Sequence, residues 1–160
     1  MKVITLYQPW AQWIIWGWKT IETRTHSKFN CLKGQRIAIH AAKAYDSQAF
    51  NAAERYMTPE QRRIHMNCEE EGFYDMGAIL GTALVWESGR LSSMHARGAL
   101  IECGSMVRHG LFLKEVKELR YPIHVSGHQG IWDFVFKGDE EFFCSTKNIL
   151  TNVEFIELKK

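Results

Sequence analysis

Hydrophobic and polar positions change period once in residues 8–24, QPWAQWIIWGWKTIETR, and that change marks the corner around which the chain is organised. Trp10, Trp13, Ile14 and Gly17 fall at i, i+3, i+4 and i+7, one face of a helix. Ala11, Ile15 and Trp16 leave Gln12 as the plainly polar position, so the helix is expected to be covered on most sides. Pro9 suits the first helical position, where a missing N–H is no loss. Gly17 suits the residue after the helix, because it takes a left-handed backbone at little steric cost. From Thr20 to Thr25 the period becomes two, which predicts a strand with Thr20, Glu22 and Arg24 on one face and Ile21 and Thr23 on the other. Lys19 has the opposite parity from Glu22. The two converge only if Lys19 lies in the turn after Gly17, and the helix stop puts it there.

The remaining pattern alternates strands with short helices and shows no repeat. Residues 3–6 read as a strand feeding the first helix, and residues 25–33 as a polar loop bordering the same corner. Residues 36–40 alternate, with Ile37 and Ile39 on one face and Arg36, Ala38 and His40 on the other. Asp46 or Ser47 can cap a helix reaching about Tyr56. Thr58-Pro59-Glu60-Gln61 is a capping-box start for a second helix, expected to end near Glu71 at Gly72. Residues 77–87 are almost continuously apolar and form the longest strand candidate; Gly81 inside them signals a bulge or a close approach. Ser88-Gly89-Arg90 reads as a turn, and residues 91–106 as a short helix plus loop. Residues 111–119 and 121–125 read as strands parted by a bend near Arg120. Residues 131–136 set Trp132, Phe134 and Phe136 on one face, a stripe that suits core filling. A polar break at 138–141 precedes a tail with a strand candidate over 153–158. The whole predicts an α+β domain, a small mixed β-barrel with two or three helices packed around it.

Length, charge and cysteine usage narrow the function classes. The 160 residues suffice for one domain with a real core. A formal net charge of +2 lacks the bulk basicity of a non-specific nucleic-acid coat, so any such contact is expected to be local. The four cysteines are widely spread without a C-x-x-C pair, which argues against a zinc ribbon and for reduced thiols. His124-x-x-x-His128 straddles Gly127, where that spacing has no helical meaning, and His65 with Cys68 is equally thin. No metal and no cofactor is expected. No run approaches the ~20 apolar residues of a membrane span, and residues 1–5 look like a strand and not a signal peptide. The expected location is the cytoplasm, with no membrane partner.

Five blocks in order resemble the ASCH domains of the PUA-like superfamily. Gly17-x-Lys19-x-x-Glu22-x-Arg24 matches the family's G-x-K-x-x-E-x-R signature, and Leu6 with Gln8-Pro9-Trp10-Ala11 is similar to its entry segment. His40-Ala41-Ala42-Lys43, Gly77-Ala78-Ile79-Leu80-Gly81, and Pro122-Ile123 with Gly127-x-Gln129-Gly130-Ile131-Trp132 supply the rest. The resemblance covers roughly residues 3–136. It implies a PUA-like mixed barrel over residues 1–136, with residues 137–160 as an extension packed on the same domain.

A fold of this kind hosts several activities, so function is argued from the corner itself. The first reading is an RNA-binding or nucleotide-binding module, taking RNA, another single-stranded nucleic acid or a nucleoside. Its candidate contacts are Gln8, Trp10, Trp18, Lys19, Glu22, Arg24, His40 and Gln129, with Tyr7 and Trp16 as further platforms. A base can stack on an aromatic ring, Lys19 and Arg24 can take phosphate, and Glu22 can accept from an exocyclic amine. The alternative is hydrolysis. Some small proteins of the resembling family are amidohydrolases acting on N4-acylated cytidine through a lysine, a threonine and a glutamate. Lys19 matches that lysine, but Glu22 stands where the threonine is expected. As an enzyme, the chain would use Lys19 and Glu22, with Glu102 or Glu87 as candidates for the third residue. Ribonuclease activity, supported by His40 with Lys19, and protein interaction complete the set.

Overall fold

The computed structural model describes residues 1–137. The polar break at 138–141 and the strand candidate at 153–158 lie outside them. In chain order the strands are β1 (Lys2–Gln8), β2 (Ile21–Arg24), β3 (Arg36–Tyr45), β4 (Ala78–Arg90), β5 (His109–His124) and β6 (Ile131–Asp133). The α-helices are α1 (Trp10–Ile15), α2 (Ala49–Ala53), α3 (Pro59–Glu70) and α4 (Ala96–Ala99). The six strands form one mixed sheet in the order β2-β5-β4-β3-β1-β6. β1 and β3 run parallel; the other pairs are antiparallel. The outer strands β2 and β6 do not pair with each other, so the described sheet is open and the expected closure into a barrel is not seen in it. The architecture is α+β.

Packing of α1 onto the sheet sets the position of everything that follows. Ile14 and Ile15 join Ile4, Leu6, Ile37, Ile39, Leu80, Val85 and Leu111 in the main core. Each such aliphatic side chain contributes ~1.5–3 kcal/mol when fully buried. The helix descends close to β4 because Gly81 leaves room. A Cβ built there would lie 2.8 Å from Ile15 Cδ1 and 2.4 Å from the Lys117 carbonyl oxygen. The close approach signalled by Gly81 is therefore real, and the β4–β5 register shifts beside it. A second cluster packs Trp13 against Ala49, Ala53, Met57 and Leu100, seating α2 on the other side of α1.

Local chemistry explains which elements match the sequence pattern. Thr58 caps α3 with a full capping box: Gln61 N donates to Thr58 Oγ1 at 3.2 Å and Thr58 N to Gln61 Oε1 at 2.9 Å. Gly72 follows with φ +68°. The first helical segment after Asp46 is shorter than expected, with residues 54–56 tightening into a 3₁₀ turn. Two strand limits differ more. Ser88-Gly89-Arg90 is not a turn, because these residues stay in β4 opposite Leu111, Gly110 and His109. β5 is one strand, and the bend near Arg120 is a bulge within it: Gly81 pairs with Glu118 while Ile79 pairs with Ile123. Pro122 sits inside that bulge, where no ladder N–H is required of it. Trp132, Phe134 and Phe136 pack against Val3, Ala38, Ile79 and Leu119, the core filling expected of the stripe.

Substituting Gly81→Ala is expected to lower the unfolding free energy by ~1–3 kcal/mol, because a carbonyl oxygen of the neighbouring strand cannot yield as a side chain can. Gly89→Ala in the same strand meets nothing within 4 Å and is expected to stay near the parent value. Urea denaturation of both variants checks this; equal midpoints would contradict the close packing.

Candidate functional site

The end of α1 aims the corner. Gly17, with φ +74°, follows the helix, its N–H reaching Ile14 O at 2.9 Å while Trp18 N–H reaches Trp13 O at 2.9 Å. This pair of bonds is a Schellman closure. Lys19 N–H then shares the Trp13 carbonyl at 3.0 Å, and Thr20 N–H donates to Gly98 O at 2.9 Å, at the α4 segment. Backbone bonds thus fix both sides of Lys19 before its side chain is considered.

The Lys19 side chain is 2% exposed and nearly saturated. Its Nζ donates to Ile21 O at 2.7 Å and to Ala99 O at 2.8 Å, lies 3.6 Å from Glu22 Oε2, and stands 5.2 Å from the centre of the Trp10 ring. Burial pushes the ammonium below the ordinary lysine range, while the Glu22 charge beside it pulls the other way; the net direction is down. Glu22, 5% exposed, is flanked on its other oxygen by Arg24, with Oε1 to Nη2 at 3.4 Å. The Arg24 guanidinium lies over the Phe29 ring at 4.6 Å. The order is cation, carboxylate, cation, with an aromatic ring under the outer cation.

This row opens on a cavity of about 720 Å³. Tyr7, Trp10 and Phe29 give it aromatic walls, Lys19, Glu22 and Arg24 a charged end, and Thr5, His128, Gln129 and Gly130 an opposite side. Asp46 lines it as well and fixes Trp10 by accepting from its Nε1 at 2.8 Å. The second side comes from the far end of the described chain. β6 pairs with β1 there, and Trp132 Nε1 donates to Thr5 Oγ1 at 3.1 Å.

Of the residues singled out from sequence, Trp10, Lys19, Glu22, Arg24 and Gln129 line the cavity. Gln8, Trp18 and His40 do not. Gln8 is fully buried; its Nε2 donates to Asp75 O at 2.7 Å and its Oε1 accepts from Gln12 N at 3.0 Å, so it braces the start of α1. Trp18 packs on Trp16, ring centres 4.6 Å apart, and is not among the residues that line the cavity. His40 is 1% exposed, with Nε2 on the Val125 carbonyl at 3.0 Å and its ring against Trp132. A Cβ on Gly127 would lie 2.3 Å from His40 Cε1, so the histidine sits directly behind the chain that forms the cavity wall. Glu102 accepts from Arg55 and Tyr56, and Glu87 pairs with Lys33; neither lines the cavity. His65 is buried with Nδ1 at 2.6 Å from Tyr74 OH, and no group of three or more metal-ligating side chains occurs among the described residues. Asp46, Phe29 and the Ala99 carbonyl are the parts the sequence reading missed. Asp46 reads only as a cap, Phe29 as one apolar residue in a polar loop, and a backbone carbonyl leaves no signal in a sequence.

No family model and no curated protein matches the chain. Among solved structures it is similar to ASCH from Zymomonas mobilis, with a TM-score of 0.48, 18% identity, and coverage of 78% of this chain and 73% of that one. Two point mutants of that protein give TM-scores of 0.43 and 0.46 at 18% and 15% identity. They cover 78% and 98% of this chain and 75% and 94% of theirs. The five sequence blocks resemble the same family. The chemistry of the site rests on its own residues.

Two substitutions separate bracing from binding. Lys19→Met strips two carbonyls of their donor and leaves Glu22 with Arg24 alone, so a loss of ~3–5 kcal/mol is expected on urea denaturation. Adding Glu22→Gln to it should restore part of that loss, and no restoration would show that the pair is not coupled. Burial also holds His40 below the ordinary histidine range. The unfolded chain therefore binds protons first, and stability is expected to fall as pH drops through the unfolded value near 6.5. The slope between pH 7 and pH 5 should be shallower in His40→Gln, compared by thermal midpoints against the parent.

Proposed function

We propose that the cavity binds a nucleobase, presented at an unpaired position of RNA or as a free nucleoside, with Glu22 as the group that reads its edge. One observation carries this reading: a buried carboxylate faces a roomy aromatic-walled hollow while its two ion pairs, at 3.6 and 3.4 Å, stay longer than a tight charge-assisted bond. Such bonds run ~2.7–2.9 Å, so the oxygens keep acceptor capacity for a ligand N–H. The exocyclic amine of cytosine or the adjacent N–H groups of guanine can donate to those free carboxylate lone pairs. Arg24 supplies a donor fork for a base carbonyl or a phosphate. Tyr7 and Trp10 offer faces on which a base stacks, worth ~1–3 kcal/mol. The volume falls in the range of ~300–1,000 Å³ usual for small-ligand sites. The reading includes a PUA-like arrangement of the mixed sheet and action in the cytoplasm; among the described residues no helix is long and apolar enough to cross a membrane.

The lowered Lys19 favours a second reading, hydrolysis of an N4-acylated cytidine. A neutral amine at this position still donates two N–H bonds to Ile21 O and Ala99 O and leaves one lone pair. Glu22 would take a proton from water, the resulting hydroxide oxygen would bond to the acyl carbon, and the C–N bond would break with the proton passing to the base nitrogen. The carboxylate next to Lys19 works against the neutral amine, which ranks this reading second.

Calorimetric titration with cytidine, guanosine, adenosine and uridine tests the first reading. At least one nucleoside is expected to bind, and Glu22→Gln to weaken it by about 10- to 100-fold, the value of a hydrogen bond to a charged group. Undiminished binding in Glu22→Gln, or no binding by the parent at millimolar nucleoside, would overturn it. Incubation with N4-acetylcytidine, followed by chromatography, decides the second: recovery of intact nucleoside removes it for that substrate.

A further inference from the structure

From the cavity, a row of polar side chains continues across the sheet. Arg24 of β2 stands opposite His109 of β5, and His109 stands opposite Arg90 of β4. Directly opposed residues of antiparallel strands share a face. Since Arg24 lines the cavity, His109 and Arg90 extend from it on the same side of the sheet. The parity of the neighbouring row agrees: Glu22, Leu111 and Ser88 are also opposed, and Ser88 Oγ bonds Asn30 O, beside the Phe29 that lines the cavity. His26 joins the row from the loop after β2, its ring 5.4 Å from that of Phe29.

These groups are short of partners. Among the described residues, no carboxylate pairs with His26, His109 or Arg90, while most of the other ion-paired cations sit at 2.5–3.0 Å from theirs. Arg24 Nε, His26 Nδ1 and His109 Nδ1 are buried polar atoms without a hydrogen-bond partner. Those inner atoms are shut off from solvent, but Arg90 is exposed and Arg24, His26 and His109 are half-buried, so the outer edges of the row are open to an acceptor from outside. Strands lie ~4.7–4.9 Å apart, so the row is about 10 Å long. That length suits a chain of phosphates better than one.

We propose that the row Arg24–His109–Arg90, with His26, binds the phosphate backbone of single-stranded RNA on its way out of the cavity. This rests on the nucleobase reading of the cavity and assigns its natural ligand to a polymer and not a free nucleoside. The net charge of +2 fits a local contact of this kind better than a general nucleic-acid coat.

The test compares the parent with Arg90→Gln, which lies outside the cavity, and with Arg97→Gln, an exposed cation of α4 outside the row, as a charge-matched control. Each is titrated with a hexanucleotide of mixed-sequence RNA at several salt concentrations and with the nucleoside that binds best. Arg90→Gln is expected to weaken the hexanucleotide about fivefold at low salt and to flatten the plot of log affinity against log salt by about 0.7, the release from one single-strand phosphate contact. Nucleoside affinity should not move, and Arg97→Gln should match the parent throughout. Unchanged affinity and slope in Arg90→Gln, or an equal loss in Arg97→Gln, would overturn the row. If the hexanucleotide behaves as expected but no nucleoside binds the parent, the row stands and the cavity reading fails.

Discussion

The burial of one ammonium governs the structure around it. Lys19 is out of water, and an isolated charge there would be prohibitively unfavourable. What holds it is a set of three acceptors from two elements: the Ile21 carbonyl and the Glu22 carboxylate of β2, and the Ala99 carbonyl of α4. None of the three can move without exposing the others to an unpaired charge. The Schellman closure of α1 fixes where the lysine starts, and these acceptors fix where it ends. α1, β2 and α4 are therefore tied at a point, and Glu22 inherits a fixed position from the tie.

The same arrangement limits what Lys19 can do. Two of its three donors are taken by the Ile21 and Ala99 carbonyls and Glu22 stands 3.6 Å away, so as an ammonium it has at most one donor left for a ligand. Glu22 is the opposite case. It lies between two cations at distances that stabilise its charge without saturating its lone pairs. Two groups three residues apart thus divide into one bound to protein acceptors and one with lone pairs to spare, although sequence spacing alone treats them alike. Desolvation and the Glu22 charge pull the lysine in opposite directions, and desolvation is the larger of the two.

Legibility in the sequence followed the range of the interaction. The Gly17 stop, the Thr58 capping box, the Gly72 end and the Gly81 approach are each decided within a few residues or by the absence of a side chain, and each was readable. Lys19 meeting Glu22 was readable for the same reason, since it needs only the turn after Gly17. Ser88-Gly89-Arg90 looked like a turn because its local preferences are those of a turn; pairing with Leu111, Gly110 and His109 overrides them. Gln8 and His40 looked like ligand contacts because polar residues beside a signature invite that reading. Their partners, Asp75 O and Val125 O, lie 67 and 85 residues away. The Ala99 carbonyl was invisible in principle.

His40 shows how a residue outside the cavity still shapes it. Its Nε2–H donates to Val125 O, its ring meets Trp132, and Gly127 passes so close that only a residue without Cβ fits. The wall carrying His128, Gln129 and Gly130 is therefore pressed against a buried imidazole and tied to Thr5 through Trp132. A cavity with one end fixed by Lys19 and one side fixed by His40 is preorganised on two independent supports. Ordering costs that a ligand would otherwise meet are largely met in folding. Under the proposed nucleobase reading, such a site would discriminate by the fit of a base edge to Glu22, because both walls are held from behind.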